Sequence, residues 1–256
     1  AGIAIAHQQE AWALAAESVD GLTAPWFARA RFTQAQQGFR WALDAAAALG
    51  DATRSARYAY FLAKTYLRQD NYAEARQLLD SAIAVFETAQ DHPRLADAYV
   101  DLADVALVQG DYAESATRLA HAEALYRQLH QPVGVAAVKC REALIAYDAG
   151  DYANARHLCE EGLRCLPLGD GAIVRSRTLR VLTDLALRQK QFDQAAEFCQ
   201  QAQAANQRVN DPTESAAILY AQAKLDLFLG NYEAALENAH RSAQLYAAMG
   251  DRKAVA

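Results

Sequence analysis

Little in this sequence invites a reading by chemistry. Prolines number five and methionines one in 256 residues, too few for a chain built of turns and extended segments. No stretch of about 18 residues runs free of charged or strongly polar side chains, so no helix qualifies to cross a membrane. The first residues carry no signal-peptide pattern. Lysine and arginine number 25 against 31 acidic residues, a net charge of −6, and no basic run stands out. Direct contact with nucleic acid is therefore not expected. The four cysteines, Cys140, Cys159, Cys165 and Cys199, form neither a C-x-x-C pair nor a zinc spacing. They read as small buried hydrophobes in a reducing, cytoplasmic setting.

Catalytic signatures are missing too. HExxH, DxDxDG and the phosphate-binding GxxxxGK(S/T) do not occur. The histidines, His7, His92, His121, His130, His157 and His240, read as solvated or edge residues. Glu160 and Glu161 are adjacent and face different ways on a helix. The sequence thus names no catalytic residue, no metal site and no cofactor, and an enzyme is not expected.

What the chain has is alanine, the best helix former, and a period. DNYAEAR begins at Asp70, GDYAESA at Gly110, GDYANAR at Gly150, KQFDQAA at Lys190 and GNYEAAL at Gly230. The aromatic falls at Tyr72, Tyr112, Tyr152, Phe192 and Tyr232, forty residues apart each time. Within 51–90, Tyr58, Phe61, Leu62 and Tyr66 recur at helical spacing, and so do Tyr72, Ala75, Leu79, Ala82 and Phe86. Two or three residues separate these stripes, which predicts an antiparallel helix pair. Gly110, Gly150 and Gly230 sit where a left-handed residue closes a helix; Asp70 and Lys190 make less favourable versions. Asp111, Asp151, Asn71 and Asn231 are placed to cap the second helix, and the aromatic is expected to fill the corner of the pair. Three columns stay small: Ala63, Ala103, Ala143, Thr183 and Ala223; Ala75, Ser115, Ala155, Ala195 and Ala235; Ala82, Ala122, Gly162, Ala202 and Ser242. Small columns let helices approach closely.

A small residue on the first helix, Gly-Asp-Tyr at the turn and alanine on the second helix together resemble the tetratricopeptide repeat, in a forty-residue variety. Similar units occur in bacterial NB-ARC-type signalling ATPases, LuxR-like regulators and kinesin-light-chain-type arrays. The resemblance implies an all-α, right-handed superhelical solenoid of helix hairpins. It covers five full repeats, 51–90, 91–130, 131–170, 171–210 and 211–250. Upstream, 1–50 makes an atypical first pair: Ile3–Val19 as one helix, GLTAPW (21–26) as a long turn, and 31–51 as the second helix. Residues 251–256 open like a further repeat. The chain is expected to be a piece of a longer protein, with its end beyond Tyr246 frayed or paired with another molecule.

The resemblance further implies a ligand surface on the concave face of the first helices. Mapped onto this sequence, that face offers Arg57, Tyr60 and Lys64; Asp97, Asp101 and Asp104; Arg177, Arg180 and Asp184; and Tyr220 and Lys224. The three aspartates share one face and suit a basic segment, a hard cation, or a ladder of ion pairs. The ladder is the reading preferred, with Asp97 on Arg57, Asp104 on Lys64 and Asp101 on Arg141. Arg175, Arg177, Arg180 and Arg188 form a basic stretch with only Asp184 nearby, either solvated or a contact for an anion. The lysine–asparagine clamp by which some family members seize C-terminal carboxylates is not reproduced at Tyr60, Lys64, Asp101, Arg177 and Val181. The function implied is a non-catalytic scaffold for a protein or peptide segment, within a bacterial regulatory protein. Tyr60 and Tyr220 would anchor the segment, and Arg177→Glu with Arg180→Glu would abolish binding and leave the melt unchanged. The alternatives are a ligand-sensing domain of such an ATPase or regulator, and a self-association scaffold acting through its ends.

Overall fold

The structure is a computed structural model and describes residues 2–28 and 31–249. Residues 251–256, read above as the start of another repeat, lie outside the described residues. Thirteen helices and no strand occur among the described residues, so the fold class is all-α, as the sequence predicts. Two compact units divide the chain, residues 1–125 and 126–256. The first holds α1 (Gly2–Gln8), α2 (Trp12–Ala28), α3 (Phe32–Ala48), α4 (Ala52–Leu67), α5 (Tyr72–Thr88), α6 (His92–Val108) and most of α7 (Tyr112–Gln128). The second holds α8 (Pro132–Asp148), α9 (Tyr152–Cys165), α10 (Ala172–Arg188), α11 (Phe192–Asn206), α12 (Pro212–Phe228) and α13 (Tyr232–Met249).

The turns explain the rhythm. At the end of α6, Gly110 takes a φ of 79°, its N–H bonds the Leu107 carbonyl, and the Asp111 N–H bonds the Ala106 carbonyl. This paired closure satisfies carbonyls that a helix end leaves bare. The residue that completes it also starts the next helix, where the Asp111 carboxylate accepts from the Glu114 N–H at 2.9 Å. One three-residue turn thus closes one helix and caps the next. Asp51, Asp91, Asp151 and Asp211 cap in the same way. Asn71 does not: its side chain accepts no cap hydrogen bond. Asp70 and Lys190 adopt φ of 60° and 57°, and so do Gln90, His130 and Asn210 at 53°, 54° and 52°. The left-handed residue therefore recurs between repeats as well as within them, with or without glycine.

The small columns are buried throughout, from Ala63 and Ala75 to Ala202 and Ser242. Where a serine replaces alanine, its hydroxyl bonds a carbonyl of the facing helix: Ser115 to Ala103 at 3.0 Å, and Ser242 to Ala216 at 2.8 Å. At Gly162 an added Cβ would sit 3.3 Å from Lys139 Cβ and 3.4 Å from the Ala136 carbonyl. Ala155→Leu is expected to overpack this contact and cost about 1–3 kcal/mol, read as a lowered urea midpoint; an unchanged midpoint would refute the column.

Three expectations need correction. Ile3–Val19 is not one helix: α1 ends at Gln8 and α2 opens only at Trp12. GLTAPW is no turn: α2 runs on to Ala28 with Pro25 inside it. Trp26 secures that last turn by lying edge-on to Phe39 at 5.6 Å and over Gly38, where a Cβ would come within 2.3 Å of the indole. The aromatics that open the second helices do not fill a common corner. Tyr112 and Tyr232 are exposed, while Tyr152 meets Tyr147 at 5.5 Å and Phe192 meets Phe228 at 6.1 Å. Each is the first residue of its helix, and its cover comes from the preceding helix end, as at Tyr152, or from the next pair, as at Phe192.

Candidate functional site

In the first unit, the expected ladder is rewired. Arg57 Nη2 pairs with Asp20 Oδ1 at 2.6 Å and its guanidinium lies 5.4 Å from the Tyr58 ring. Lys64 Nζ pairs with Asp101 Oδ2 at 3.3 Å. The partners expected in equal register were Asp97 and Asp104. Both ion pairs span 37 residues, three short of the repeat, so each long side chain reaches about one helical turn along its neighbour. Asp97 is exposed, Asp104 half-buried. Tyr60 does not face solvent as an anchor must. It is 4% exposed, with Phe61 at 5.4 Å, Phe86 at 6.2 Å and the Lys64 ammonium 5.2 Å above its ring.

The second unit gathers Arg177, Arg180 and Asp184 from α10 with Tyr220 and Lys224 from α12. The basic stretch is not balanced by Asp184, which pairs with Lys224. Its counter-charge is Glu214, in the first turn of α12 and only 2% exposed. Arg177 Nε lies 3.4 Å from Glu214 Oε2 and Arg180 Nε 3.5 Å from Oε1. Ser176 Oγ sits 3.0 Å from the same Oε1 and 3.1 Å from the Ala202 carbonyl. A buried carboxylate is stable only when paired and hydrogen-bonded, and this one is held by three side chains of α10. The sequence offered one signal for it: at the same place in other repeats stand Arg54, Arg94, Gly134 and Val174, so an acidic residue there is unique. Arg188 is also engaged, donating from Nε to the Tyr147 hydroxyl at 3.0 Å. Tyr220, in the repeat position of buried Tyr60, is 56% exposed, with Lys224 Nζ 5.2 Å from its ring centroid.

Among the described residues no group of three His, Cys, Asp or Glu side chains is placed to hold a metal ion. All four cysteines are free, and Cys140, Cys159 and Cys199 are buried in one core cluster. Burial pushes their thiols up, Cys199 to about 11, away from the thiolate that reacts. No described helix is long and apolar enough to cross a membrane. On the last pair, Leu227, Phe228, Leu229, Tyr232 and Leu236 are exposed.

No curated protein matches this sequence. Several solved structures share its fold. One is a Rap protein complexed with competence and sporulation factor, 14% identical over 94% of this chain and 72% of that one, with a TM-score of 0.73. Another is the Rap conjugation gene regulator of the plasmid pLS20 in complex with a Phr peptide, 11% identical over 88% of this chain and 60% of that one, TM-score 0.75. A third is a set of nearly identical tetratricopeptide-like repeats of a putative kinesin light chain from Podosopora anserina, 18% identical over 77% of this chain and 96% of that one, TM-score 0.51. At the level of sequence, the tetratricopeptide repeat family model matches residues 55–128.

Proposed function

We propose that the chain is a non-catalytic scaffold for a protein or peptide segment, serving as the interaction region of a larger bacterial regulatory or signalling protein. The observation that carries this reading is Tyr220, a large aromatic left 56% exposed beside the Lys224–Asp184 ion pair. Exposed aromatics beside arginines supply most of the binding energy in protein interfaces. The peptide bound to one structural neighbour, the Rap conjugation gene regulator, supports a peptide as the occupant. In this reading an apolar residue of the segment covers Tyr220, and acidic groups meet the outer N–H groups of Arg177 and Arg180. Those arginines stay tied to Glu214, so they act as a fixed positive rim. Tyr60, being buried, contributes no surface. In an NB-ARC-type ATPase or a LuxR-like regulator, the same segment would be the trigger that the domain senses.

Random dodecapeptides displayed on phage and selected on the whole chain test this. Sequences that are both acidic and apolar are expected to be enriched. Tyr220→Ala should weaken the selected peptides at least about tenfold and leave the helical melt unchanged, since the ring is solvent-exposed. No enrichment, or equal affinity for the variant, removes the site.

A further inference from the structure

Two repeat boundaries in the second unit lengthen the three-residue turn, α11 to α12 by two residues and α9 to α10 by three. α9 stops at Cys165, three residues short of α5 and α7, and Leu166 is extended (φ −73°, ψ 125°) ahead of Pro167. Proline lacks the N–H a helix needs and forces its predecessor out of helical backbone. The chain then turns through Gly169 and Gly171, with φ of 94° and 68°. A Cβ on Gly171 would lie 2.6 Å from Leu166 Cδ2 and 3.3 Å from Val133 Cγ2, so a larger residue here would have to displace those side chains.

Beside the missing helical turn a cleft of about 350 Å³ opens between α9, α10 and α11. Leu163, Leu179 and Ala205 supply apolar wall, and Arg175, Arg208 and Asp170 supply charge. Arg175 belongs to the same basic stretch as Arg177, Arg180 and Arg188. Those three have side-chain partners; the guanidinium groups of Arg175 and Arg208 make no side-chain hydrogen bond or ion pair with any described residue, Asp170 included. Two uncommitted guanidinium groups on one apolar cleft are complementary to a ligand with an apolar body and an anionic end. The guanidinium fork matches a carboxylate in geometry as well as charge. The volume stands near the lower end of the range for small-molecule pockets, roughly 300–1,000 Å³, which suits a small molecule better than a folded segment.

We propose that this cleft binds a small amphipathic carboxylate, its apolar body against Leu163, Leu179 and Ala205 and its carboxylate between Arg175 and Arg208. The site stands apart from the peptide-scaffold reading: it uses neither Tyr220 nor the arginines tied to Glu214.

Octanoate is the probe. Calorimetric titration of the whole chain at low ionic strength is expected to show one saturable site, with amide shifts gathered on 163–179 and 201–208. Arg175→Gln with Arg208→Gln should weaken octanoate about tenfold or more, the effect of losing charge-assisted hydrogen bonds. Octan-1-ol, the same chain without the charge, should bind at least about tenfold more weakly than octanoate by the same reckoning. An unchanged helical melt shows that the variant folds, and Tyr220→Ala should leave octanoate binding untouched. The absence of saturable binding overturns the proposal, and so does equal binding of octan-1-ol or affinity unmoved by the double variant. Binding lost instead on Tyr232→Ser with Leu236→Ser would place the probe on the exposed apolar stretch and overturn it as well.

Discussion

Arg177→Ala combined with Arg180→Ala is expected to destabilise the chain by about 3–5 kcal/mol, the usual cost of stranding one member of a buried ion pair. The group stranded is Glu214, 2% exposed, with Ser176 as its remaining side-chain partner. The reverse experiment is milder. Glu214→Gln leaves two guanidinium groups whose side chains are already 31% and 26% exposed; they reach water, and the amide keeps a contact to Ser176. That change should cost about 1.5–3 kcal/mol, the scale of one hydrogen bond to a charged group. Urea unfolding followed by far-ultraviolet circular dichroism gives both values. If Glu214→Gln proves the costlier change, the burial of the carboxylate is not what the arginines compensate. The same argument corrects an expectation drawn from sequence. Arg177→Glu with Arg180→Glu would bring three carboxylates together around a buried point, so it cannot spare the melt, and Tyr220 is the sounder place to probe binding.

Phe39→Ala should cost about 3–5 kcal/mol in the first unit. Phe39 is fully buried, stacked on Phe61 at 5.6 Å, with Trp26 edge-on at 5.6 Å and Phe27 at 6.2 Å. Removing the ring leaves a cavity walled by three aromatics from two helices, α2 and α4. Each is too rigid to collapse inward, and their mutual attraction exceeds what buried area alone provides. The effect has a selective reporter. Trp12, Trp26 and Trp41 are the chain's three tryptophans, and all lie in the first unit. A lowered urea midpoint in tryptophan fluorescence is the expected result; a midpoint within error of the parent would mean that the cluster relaxes around the loss.

Helix pairing and the small columns were legible because they depend on local chemistry repeated at a fixed interval. A left-handed residue, a capping carboxylate and an alanine stripe act within a few residues of one another. The site was less legible, for two physical reasons. Long side chains choose partners by reach: Arg57 goes to Asp20 and Lys64 to Asp101, each a turn away from the partner in equal register. Burial is set by neighbours and not by repeat position, so Tyr60 lies under Phe61 and Phe86 whereas Tyr220 stands in solvent. Periodicity concealed the helical nature of residues 21–26, where Gly21 and Pro25 spell a turn and the packing of Trp26 overrides them. The break at Pro167, Gly169 and Gly171 carried a readable signal, three turn-forming residues within five positions, that the regular spacing on either side obscured.

The tie from Tyr58 to the Ala16 carbonyl spans 42 residues of chain, and that from Ser115 to Ala103 only 12. Stitches this short mean that little loop-closure entropy is spent before native contacts begin to reward it. Either unit can then start organising at any of its hairpins and grow outward by neighbours. Such a molecule should fold quickly, with no single obligatory nucleus, and should come apart a hairpin at a time.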